Sequence, residues 1–299
     1  MLSILLNRNF IFVSALIAGF IFGETLEIFS FLNIPILIVI MSVAVTETDL
    51  SQFKNVKKTL RPVAAGILLN YFFIFALILI LGKLFMIEGD LWAGLVLTAA
   101  TPPGLAIMPF TALLGGNIFF AAAATFSAFI AALVFTPFLT SVFAGGGVIS
   151  FSEIFNLFFL MIIIPVIVGS VMRKAGLAGF AKKVHGNVVN IGFGVIFAVI
   201  SGVNRSIVFE YPGELLRLII IFAIAVYGAA YLFKFILAKT NIDKKTAMSI
   251  IIIVSVKNSI FGAAAGYELI SPLGAAPGTL MTFVILSYLM FIERIVNFK

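Results

Sequence analysis

The chain is predicted to be an all-α membrane protein, because three features of its sequence agree on this class. Hydrophobic residues make up 63% of the 299 residues, charged residues make up only 10%, and the mean hydropathy is +1.25. A soluble domain carries about 25% charged residues. Long apolar runs recur, each close to the roughly 20 residues that cross a bilayer as a helix. No polar stretch is long enough to form a soluble domain with its own core.

Ten apolar segments, separated by short polar connections, account for the length of the chain. We therefore predict ten transmembrane helices, called spans one to ten. They cover residues 10–28, 33–46, 62–82, 91–115, 118–143, 154–172, 186–203, 215–237, 246–267 and 274–292.

The distribution of lysine and arginine predicts how these spans are oriented. Fifteen of the nineteen basic residues fall in connections on one side, three fall on the other, and Lys257 falls inside a span. Basic connections stay on the cytoplasmic side, so both ends of the chain are predicted to be cytoplasmic, in a plasma or inner membrane. Topology thus explains most of the net charge of +7. The expected partner is the lipid bilayer and not a nucleic acid.

Ten spans divide into two halves of five, 1–148 and 149–299. Because five is odd, the second half enters the membrane upside down relative to the first, as in transporters built from inverted repeats. Span four is interrupted by Thr-Pro-Pro-Gly at 101–104, and its counterpart, span nine, by Ser-Val-Lys-Asn-Ser at 255–259. Corresponding interruptions point to a binding site near the midplane. The alternative is a simple kink in each helix.

Lys257 is the most informative polar residue. The preceding basic residue, Lys245, is about 18 Å away along a helix, and a lysine side chain reaches only about 6 Å towards an interface. A charge deep in the bilayer costs several kcal/mol and marks a functional site. The alternative is a helix that ends earlier, with Lys257 among the headgroups. No carboxylate lies inside a predicted span, so the amine is either neutral part of the time or paired with a counter-ion that comes and goes.

Two other polar residues inside spans are candidates for the same site, Asn70 in span three and Thr125 in span five. The alternative role for both is hydrogen bonding between helices. The absence of cysteine excludes thiol chemistry and disulfides. The one histidine, His185, is predicted to be a solvated residue in a polar connection beside Lys182 and Lys183.

These residues resemble the bile acid:sodium symporter family in its bacterial ten-span form. The resemblance covers most of the chain and is strongest over 41–53, 101–137 and Lys257-Asn258-Ser259. Span four of that family carries a break of the type Pro-Gly-Gly-Thr-Ala-Ser-Asn, matched here by 102–108 and the shared Gly116-Asn117. Span nine of the family carries Glu-x-x-x-Gln-Asn-Ser, and residues 253–259 occupy that frame.

The resemblance implies a core of spans three to five and eight to ten, in which the broken spans four and nine cross. Spans one, two, six and seven would form a panel that moves against this core. The substrate, a small organic anion, would lie at the crossing, where the N-termini of half helices suit a negative charge. The residues implied for its binding are Gly104, Leu105, Ala106, Asn258 and Ser259.

The departures from the family pattern concern its two sodium sites. At aligned positions the glutamate of the first site is Ile253, the serine–asparagine pair is Ile107-Met108, and one hydroxyl is Ala121. Apolar side chains cannot bind sodium, so we expect this site to be lost.

At the second sodium site, the glutamine of span nine is Lys257 and the glutamine of span three is Asn70, while Thr125 keeps a hydroxyl in span five. We infer that a tethered ammonium substitutes for sodium and that no cofactor is bound. Lys257, Asn70 and Thr125 are the predicted coupling residues.

The predicted function is alternating-access transport of a small organic anion without sodium. Titration of Lys257 would instead make the protein a proton-coupled carrier. Metalloid efflux is less favoured, because that chemistry commonly uses a thiol. A membrane-embedded hydrolase needs a histidine or carboxylates within the bilayer, so no enzyme activity is expected. A channel would show polar stripes along several helices, whereas the polar groups here cluster at one depth.

Overall fold

The computed structural model describes residues 8–47, 56–104, 107–145, 150–203 and 205–296. A 3-10 helix, Gly23–Leu32, follows the first α-helix, and two π-helical segments, Leu68–Ile74 and Ile224–Gly228, interrupt two others. The α-helices are α1 (Arg8–Phe22), α2 (Asn33–Glu47), α3 (Val56–Ile67), α4 (Phe75–Leu84), α5 (Gly89–Ala100), α6 (Ile107–Leu113), α7 (Ile118–Phe143), α8 (Phe151–Lys174), α9 (Ala178–Val203), α10 (Arg205–Glu210), α11 (Pro212–Ala223), α12 (Ala229–Leu237), α13 (Lys244–Ser255), α14 (Ser259–Leu269) and α15 (Pro272–Val296).

The predicted class, an all-helical membrane protein, is confirmed. Within the described residues, seven helical segments are long and apolar enough to cross a membrane. Helices suit this environment because they satisfy their own backbone hydrogen bonds where water is absent. The other predicted spans correspond to the short α1 and to two pairs of half helices, α5 with α6 and α13 with α14. The seven segments are Thr25–Glu47, Lys58–Leu84, Ile118–Phe143, Phe151–Lys174, Ala178–Val203, Pro212–Leu237 and Pro272–Ile292.

The predicted break in span four is confirmed. Helix α5 ends at Ala100, and Thr101 adopts an extended conformation with φ −62° and ψ 155°. Pro102 and Pro103 follow, and because neither has an amide hydrogen they cannot continue the helical hydrogen bonds. Span nine breaks without a proline: α13 ends at Ser255 and α14 begins at Ser259.

The helices pack in two groups. Helices α1, α2, α8 and α9 contact one another, with α2 packed on α8 and α9 packed on both α1 and α2. In the second group, α3 packs on α7, and α15 packs on α5, α11 and α14. A large apolar core runs through this second group and surrounds the half helices.

Three predicted boundaries are wrong by six residues or more. Span one was expected to continue to residue 28, but α1 ends at Phe22, and span three was expected to begin at 62, but α3 begins at Val56. Span seven was expected to begin at 186, but α9 begins at Ala178. His185 therefore lies inside a helix, about a quarter exposed, and is hydrogen-bonded to Glu47. Hydropathy missed this first part of α9 because Lys182 and Lys183 lower the mean hydropathy of the segment. Both lysines are exposed.

Candidate transport site at the helix crossing

The two interrupted spans meet through their extended segments. Residues 102–104 and 256–258 run antiparallel, with Pro103 opposite Lys257. Backbone groups freed by a broken helix need new partners where water is excluded. Two hydrogen bonds between the segments supply them, from Gly104 N to Val256 O at 2.9 Å and from Asn258 N to Pro102 O at 3.0 Å.

Gly104 is required by this close approach of two backbones. A Cβ atom at this position would lie 2.9 Å from the carbonyl oxygen of Lys257 and 3.0 Å from Cγ1 of Val256. Real Cβ atoms rarely approach other atoms so closely, so a larger residue would push the two segments apart. The glycine predicted from the family pattern thus has a packing role at the crossing.

The amine of Lys257 is enclosed by protein. The residue is 3% exposed, which is not the headgroup position considered as the alternative. Its Nζ donates a hydrogen bond to Oδ1 of Asn70 at 2.9 Å. Nδ2 of Asn70 in turn donates to the carbonyl oxygen of Thr101 at 3.1 Å. Asn70 therefore connects the amine of one broken span to the break in the other.

An aromatic ring also faces the amine. Nζ of Lys257 lies 5.8 Å from the ring centroid of Tyr71, a distance at which the ring face attracts a cation. The hydroxyl of Tyr71 donates to the carbonyl oxygen of Ala128 at 2.7 Å, and its ring stacks on Phe135. These contacts hold the ring in place independently of the lysine.

Local backbone geometry brings Asn70 and Tyr71 inward together. Both lie in the π-helical segment Leu68–Ile74, and each is 1% exposed. π-helical turns are uncommon and often occur at functional sites. Asn70 was a predicted coupling residue, whereas Tyr71 was not predicted.

Thr125, the third predicted coupling residue, is buried in α7 at 1% exposure. Its Oγ1 makes no hydrogen bond within the described part of the chain. The structure therefore brings Lys257 and Asn70 into contact, while no hydrogen bond among the described residues joins Thr125 to either of them.

A cavity of about 260 Å³ begins at the crossing. Four residues of the predicted site line this one cavity: Gly104, Lys257, Asn258 and Ser259. Leu105 and Ala106, also predicted to bind substrate, lie outside the described residues. Helices α6, α9, α14 and α15 complete the wall, with Phe110, His185, Gly186, Val189, Asn190, Phe193, Ile260, Thr282, Ile285, Leu286 and Leu289.

One end of this cavity is suited to an anion. Helix α14 begins at Ser259, and the amide groups of its first turn carry the positive end of the helix dipole. Asn258, its N-cap residue, is 5% exposed, and its side chain makes no hydrogen bond among the described residues. The hydroxyl of Ser259 is instead paired with Thr282 at 2.8 Å. A buried amide that makes no hydrogen bond to the described residues and a helix N-terminus therefore share the wall of the cavity.

Three of the four residues aligned with the first sodium site of the family lie in one apolar core, and the fourth, Met108, is partly buried. Ile107 and Ala121 are fully buried, Ile253 is 2% exposed, and all three belong to the same cluster of packed side chains. Among the described residues, no group of three acidic or histidine side chains gathers as a metal site.

Sequence reasoning missed three residues of the site. Tyr71 follows Asn70 directly, and that adjacency was the available signal. Thr282 lies mid-span in α15 and gave no signal beyond being a hydroxyl residue. His185 was excluded with the polar connection in which it was wrongly placed, and it lines the cavity.

Two interrupted helices that meet around a buried polar site, within a bundle of apolar helices, define this protein as a polytopic helical membrane protein with a polar site in its interior. The chain belongs to the Sodium Bile acid symporter family, whose profile matches residues 34–211, more than half of the chain. A Bacillus subtilis (strain 168) protein named "Uncharacterized sodium-dependent transporter YocS" is 28% identical over 204 residues. That alignment spans 66% of this chain and 61% of the relative.

Proposed function

We propose that this protein is a secondary transporter of a small organic anion, working by alternating access and without sodium. The observation that carries the proposal is the amine of Lys257, 3% exposed and bonded to a neutral amide. In the described part of the chain no carboxylate pairs with it. A fixed positive charge at the crossing would balance an anionic substrate, which is the task we assign to it in place of a dissolved cation.

A ten-span inverted repeat is supported by the matching order of elements in the two halves. Both α5 and α13 have 12 residues. Each follows a span that contains a π-helical segment and precedes a shorter half helix. The long helices α7 and α15, of 26 and 25 residues, then close the two halves. Corresponding bounds are separated by about 155 residues throughout this series.

The exchange of backbone hydrogen bonds at the crossing fits the same symmetry. One hydrogen bond runs from Gly104 N to Val256 O and the other from Asn258 N to Pro102 O. Exchanging Pro102 with Val256 and Gly104 with Asn258 turns the first bond into the second. This local pseudo-twofold relation favours halves of 1–148 and 149–299. It also favours a site that lies between the two halves, as in other inverted-repeat transporters.

A core and a panel are supported by the two packing groups. The group of α1, α2, α8 and α9 corresponds to the predicted panel, and the other group holds both broken spans. The cavity lies between them, with α9 on one side and α14 and α15 on the other. Movement of the panel against the core would close this cavity and open another on the opposite side of the membrane.

We assign the end of the cavity near His185 to the cytoplasmic side. Along α9, His185 follows Lys182 and Lys183, which are among the basic residues that set the predicted orientation. The present conformation would then be inward-facing, and both ends of the chain would be cytoplasmic. The substrate carboxylate would bind Asn258, Ser259 and the first turn of α14, with Gly104 keeping the crossing tight.

Proton coupling is the second candidate function, and the hydrogen bond of Lys257 favours considering it. An amine donates to Oδ1 of Asn70 whether it is charged or neutral, so loss of its proton would leave this contact intact. A carrier of this kind would move a proton with each anion.

Uptake of labelled carboxylates into proteoliposomes tests both candidates. A carrier with a permanently charged Lys257 is expected to respond to an inside-positive potential, and a proton-coupled carrier to an outside-acid pH gradient. Neither is expected to respond to sodium. The name of the Bacillus relative includes sodium dependence. Uptake measured with and without sodium therefore tests the proposal most directly. Strong stimulation by sodium would contradict the role proposed for Lys257.

A further inference from the structure

A second recess lies where two transmembrane segments end at the same surface of the bundle. The segments Lys58–Leu84 and Ile118–Phe143 both end beside it. Its volume of about 470 Å³ falls within the roughly 300–1,000 Å³ usual for ligand pockets. One lysine lies among apolar and aromatic side chains in its lining, which consists of Leu79, Ile80, Lys83, Leu84, Trp92 and Phe143.

The recess opens to the outside of the bundle. Ile80, Leu84 and Phe143 are all exposed. Exposed apolar side chains on a helix that crosses a membrane contact lipid acyl chains. Because Leu84 and Phe143 are also the last residues of their segments, the recess lies close to the boundary between acyl chains and headgroups.

Trp92 forms a fixed wall of the recess. Its Nε1 donates to the carbonyl oxygen of Phe143 at 2.8 Å. Its ring packs so closely on Gly82 that a Cβ atom there would lie 3.0 Å from Cζ3 of the indole. Tryptophan is enriched at membrane interfaces, where the ring is in lipid and the N–H needs a polar partner. Here the protein supplies that partner, so the N–H is not available to a ligand.

The amine of Lys83 lies over this wall. Its Nζ is 4.1 Å from the centroid of the Trp92 ring, which attracts a cation. Within the described residues, the amine makes no hydrogen bond or ion pair. Asp90, an acidic residue close to it in the chain, accepts instead from the hydroxyl of Ser271 at 2.6 Å. An ammonium carries three donors, so that of Lys83 is positioned by the ring and still available to an anion.

We propose that this recess binds an anionic phospholipid, with the phosphate at Lys83 and an acyl chain along Ile80 and Leu84 beside Trp92. Charge complementarity supports this occupant, because lysines at a membrane surface attract anionic lipids. A soluble anion would pair with the amine but leave the apolar walls uncovered. In a zwitterionic lipid, the cation of the headgroup competes with the lysine for the phosphate. The inference does not depend on which substrate the protein transports.

The test uses Trp92, which is the only tryptophan of the chain, so that its fluorescence reports on this recess. The full chain is reconstituted in phosphatidylcholine with brominated acyl chains, since bromine quenches tryptophan fluorescence on contact. Unbrominated phosphatidylcholine or phosphatidylglycerol of the same chain length is then added, and the recovery of fluorescence gives their relative affinities. We expect strong quenching at the start and about fivefold tighter binding of phosphatidylglycerol, as one lysine at a membrane surface allows.

In the variant Lys83→Gln, the two lipids are expected to bind equally well, whereas Lys83→Arg should keep the preference. The matched control is Lys239→Gln. Nζ of Lys239 lies 3.9 Å from the ring centroid of Phe235, so this lysine has the same kind of aromatic contact but is not part of the recess. Its replacement should leave the preference of the recess unchanged. Melting temperatures of all variants are measured alongside.

Little quenching of Trp92 in brominated phosphatidylcholine would overturn the proposal, because no acyl chain would then occupy the recess. Equal binding of the two lipids to the wild type would overturn the role of Lys83, as would a preference that survives in a folded Lys83→Gln variant. A separate arm adds inorganic phosphate, compared with potassium chloride at equal ionic strength. If phosphate alone abolishes the preference, the amine binds a free anion and not a lipid.

Discussion

Residues 68–143 and 224–296 show the same order of helical elements but differ in their chemistry beside the crossing. In the first half, the π-helical segment Leu68–Ile74 buries Asn70 and Tyr71. In the second half, the segment Ile224–Gly228 buries Ala225 and Val226. Asn70 and Ala225 each lie 19 residues before the first residue of a 12-residue half helix. At these two positions one segment therefore offers an amide and a phenol, whereas the other offers only apolar groups and pairs its own tyrosine, Tyr227, with Ser287.

The difference follows from the two extended segments that these helices face. Lys257 lies opposite Pro103, so only one of the paired segments carries an amine. A buried amine needs a hydrogen-bond acceptor, and Asn70 supplies it. No such need arises around a proline. The comparison teaches that one order of backbone elements can carry different side chains, and that a buried amide is placed next to the buried amine that it serves.

The largest expected effect is that of Lys257→Gln, which removes the one buried amine of the crossing. Uptake should fall on the order of 100-fold, because the substrate loses its balancing charge and Asn70 loses its charged partner. The matched control is Lys245→Gln, an exposed position on α13. Uptake and melting temperature are measured for both. If the Lys257 variant takes up substrate as fast as the wild type, the amine is not the feature that distinguishes the two extended segments.

The next effect is that of exchanging the chemistry of the two π-helical segments. Asn70→Leu should lower uptake by roughly tenfold or more, since it leaves the buried amine of Lys257 without its acceptor. Ala225→Asn places an amide where no partner is expected, and it should destabilise the protein by about 1–3 kcal/mol. Thermal unfolding and uptake would separate the two results. Similar losses of uptake in both variants would show that the halves are chemically equivalent.

Gly104→Ala tests the contact between the extended segments. Its Cβ atom would meet the carbonyl oxygen of Lys257 at 2.9 Å, so we expect destabilisation of about 1–3 kcal/mol and slower uptake. Gly179→Ala is the control, since a Cβ atom there meets no atom within 4 Å. An unchanged melting temperature for Gly104→Ala would argue against a tight crossing.

Tyr71→Phe should have a smaller effect. It removes the hydroxyl that donates to Ala128 but keeps the ring near the amine of Lys257. The expected loss is about 1 kcal/mol of stability, with uptake largely retained. Tyr71→Leu removes the ring as well and should reduce uptake further. If the two variants transport equally well, the ring does not assist the cation.

The smallest effect is expected at the start of the two 12-residue half helices, α5 and α13, of which α13 alone is capped by a side chain. Oδ1 of Asp243 accepts from the amide of Thr246 at 2.9 Å, whereas Glu88, before α5, makes no such bond. The Thr246 amide holds the pKa of the Asp243 carboxyl below its usual value of about 4. The stabilisation is therefore present above that usual value and is lost as pH falls through the lowered pKa.

Asp243→Ala should thus lower the melting temperature slightly near neutral pH and have less effect in acid. Glu88→Ala should have little effect at either pH. Differential scanning measurements at both pH values check this pair. A difference between wild type and Asp243→Ala that grows in acid would contradict the assignment of the cap.

Several features of the site could be predicted from the sequence because they depend on strong local rules. Tandem prolines at 102 and 103 cannot continue a helix, and a lysine among isoleucines is costly unless it is enclosed. Position 70 was also predicted, since an amide inside an apolar span needs a partner. Tyr71 was not, because nothing in its local sequence says which way a tyrosine ring points.

His185 marks where local reasoning failed. The polar residues before it were read as a connection between two spans, although α9 begins at Ala178 and continues through them. Hydropathy reports the apolar part of a helix and not its exposed extension. The contact with Glu47 joins residues 138 positions apart in the chain, so no short-range pattern could have predicted it.

The sequence by itself determined the class of the protein, the two interruptions and the identity of the buried charge. These follow from hydrophobicity, from proline and from the cost of an ion in hydrocarbon, which act on short stretches of chain. The tertiary structure alone decided that Asn70 bonds to Lys257, that Asn258 lines a cavity and that His185 lines the same cavity. Each of these depends on the relative position of helices distant in sequence, and that position is set by packing over the whole bundle.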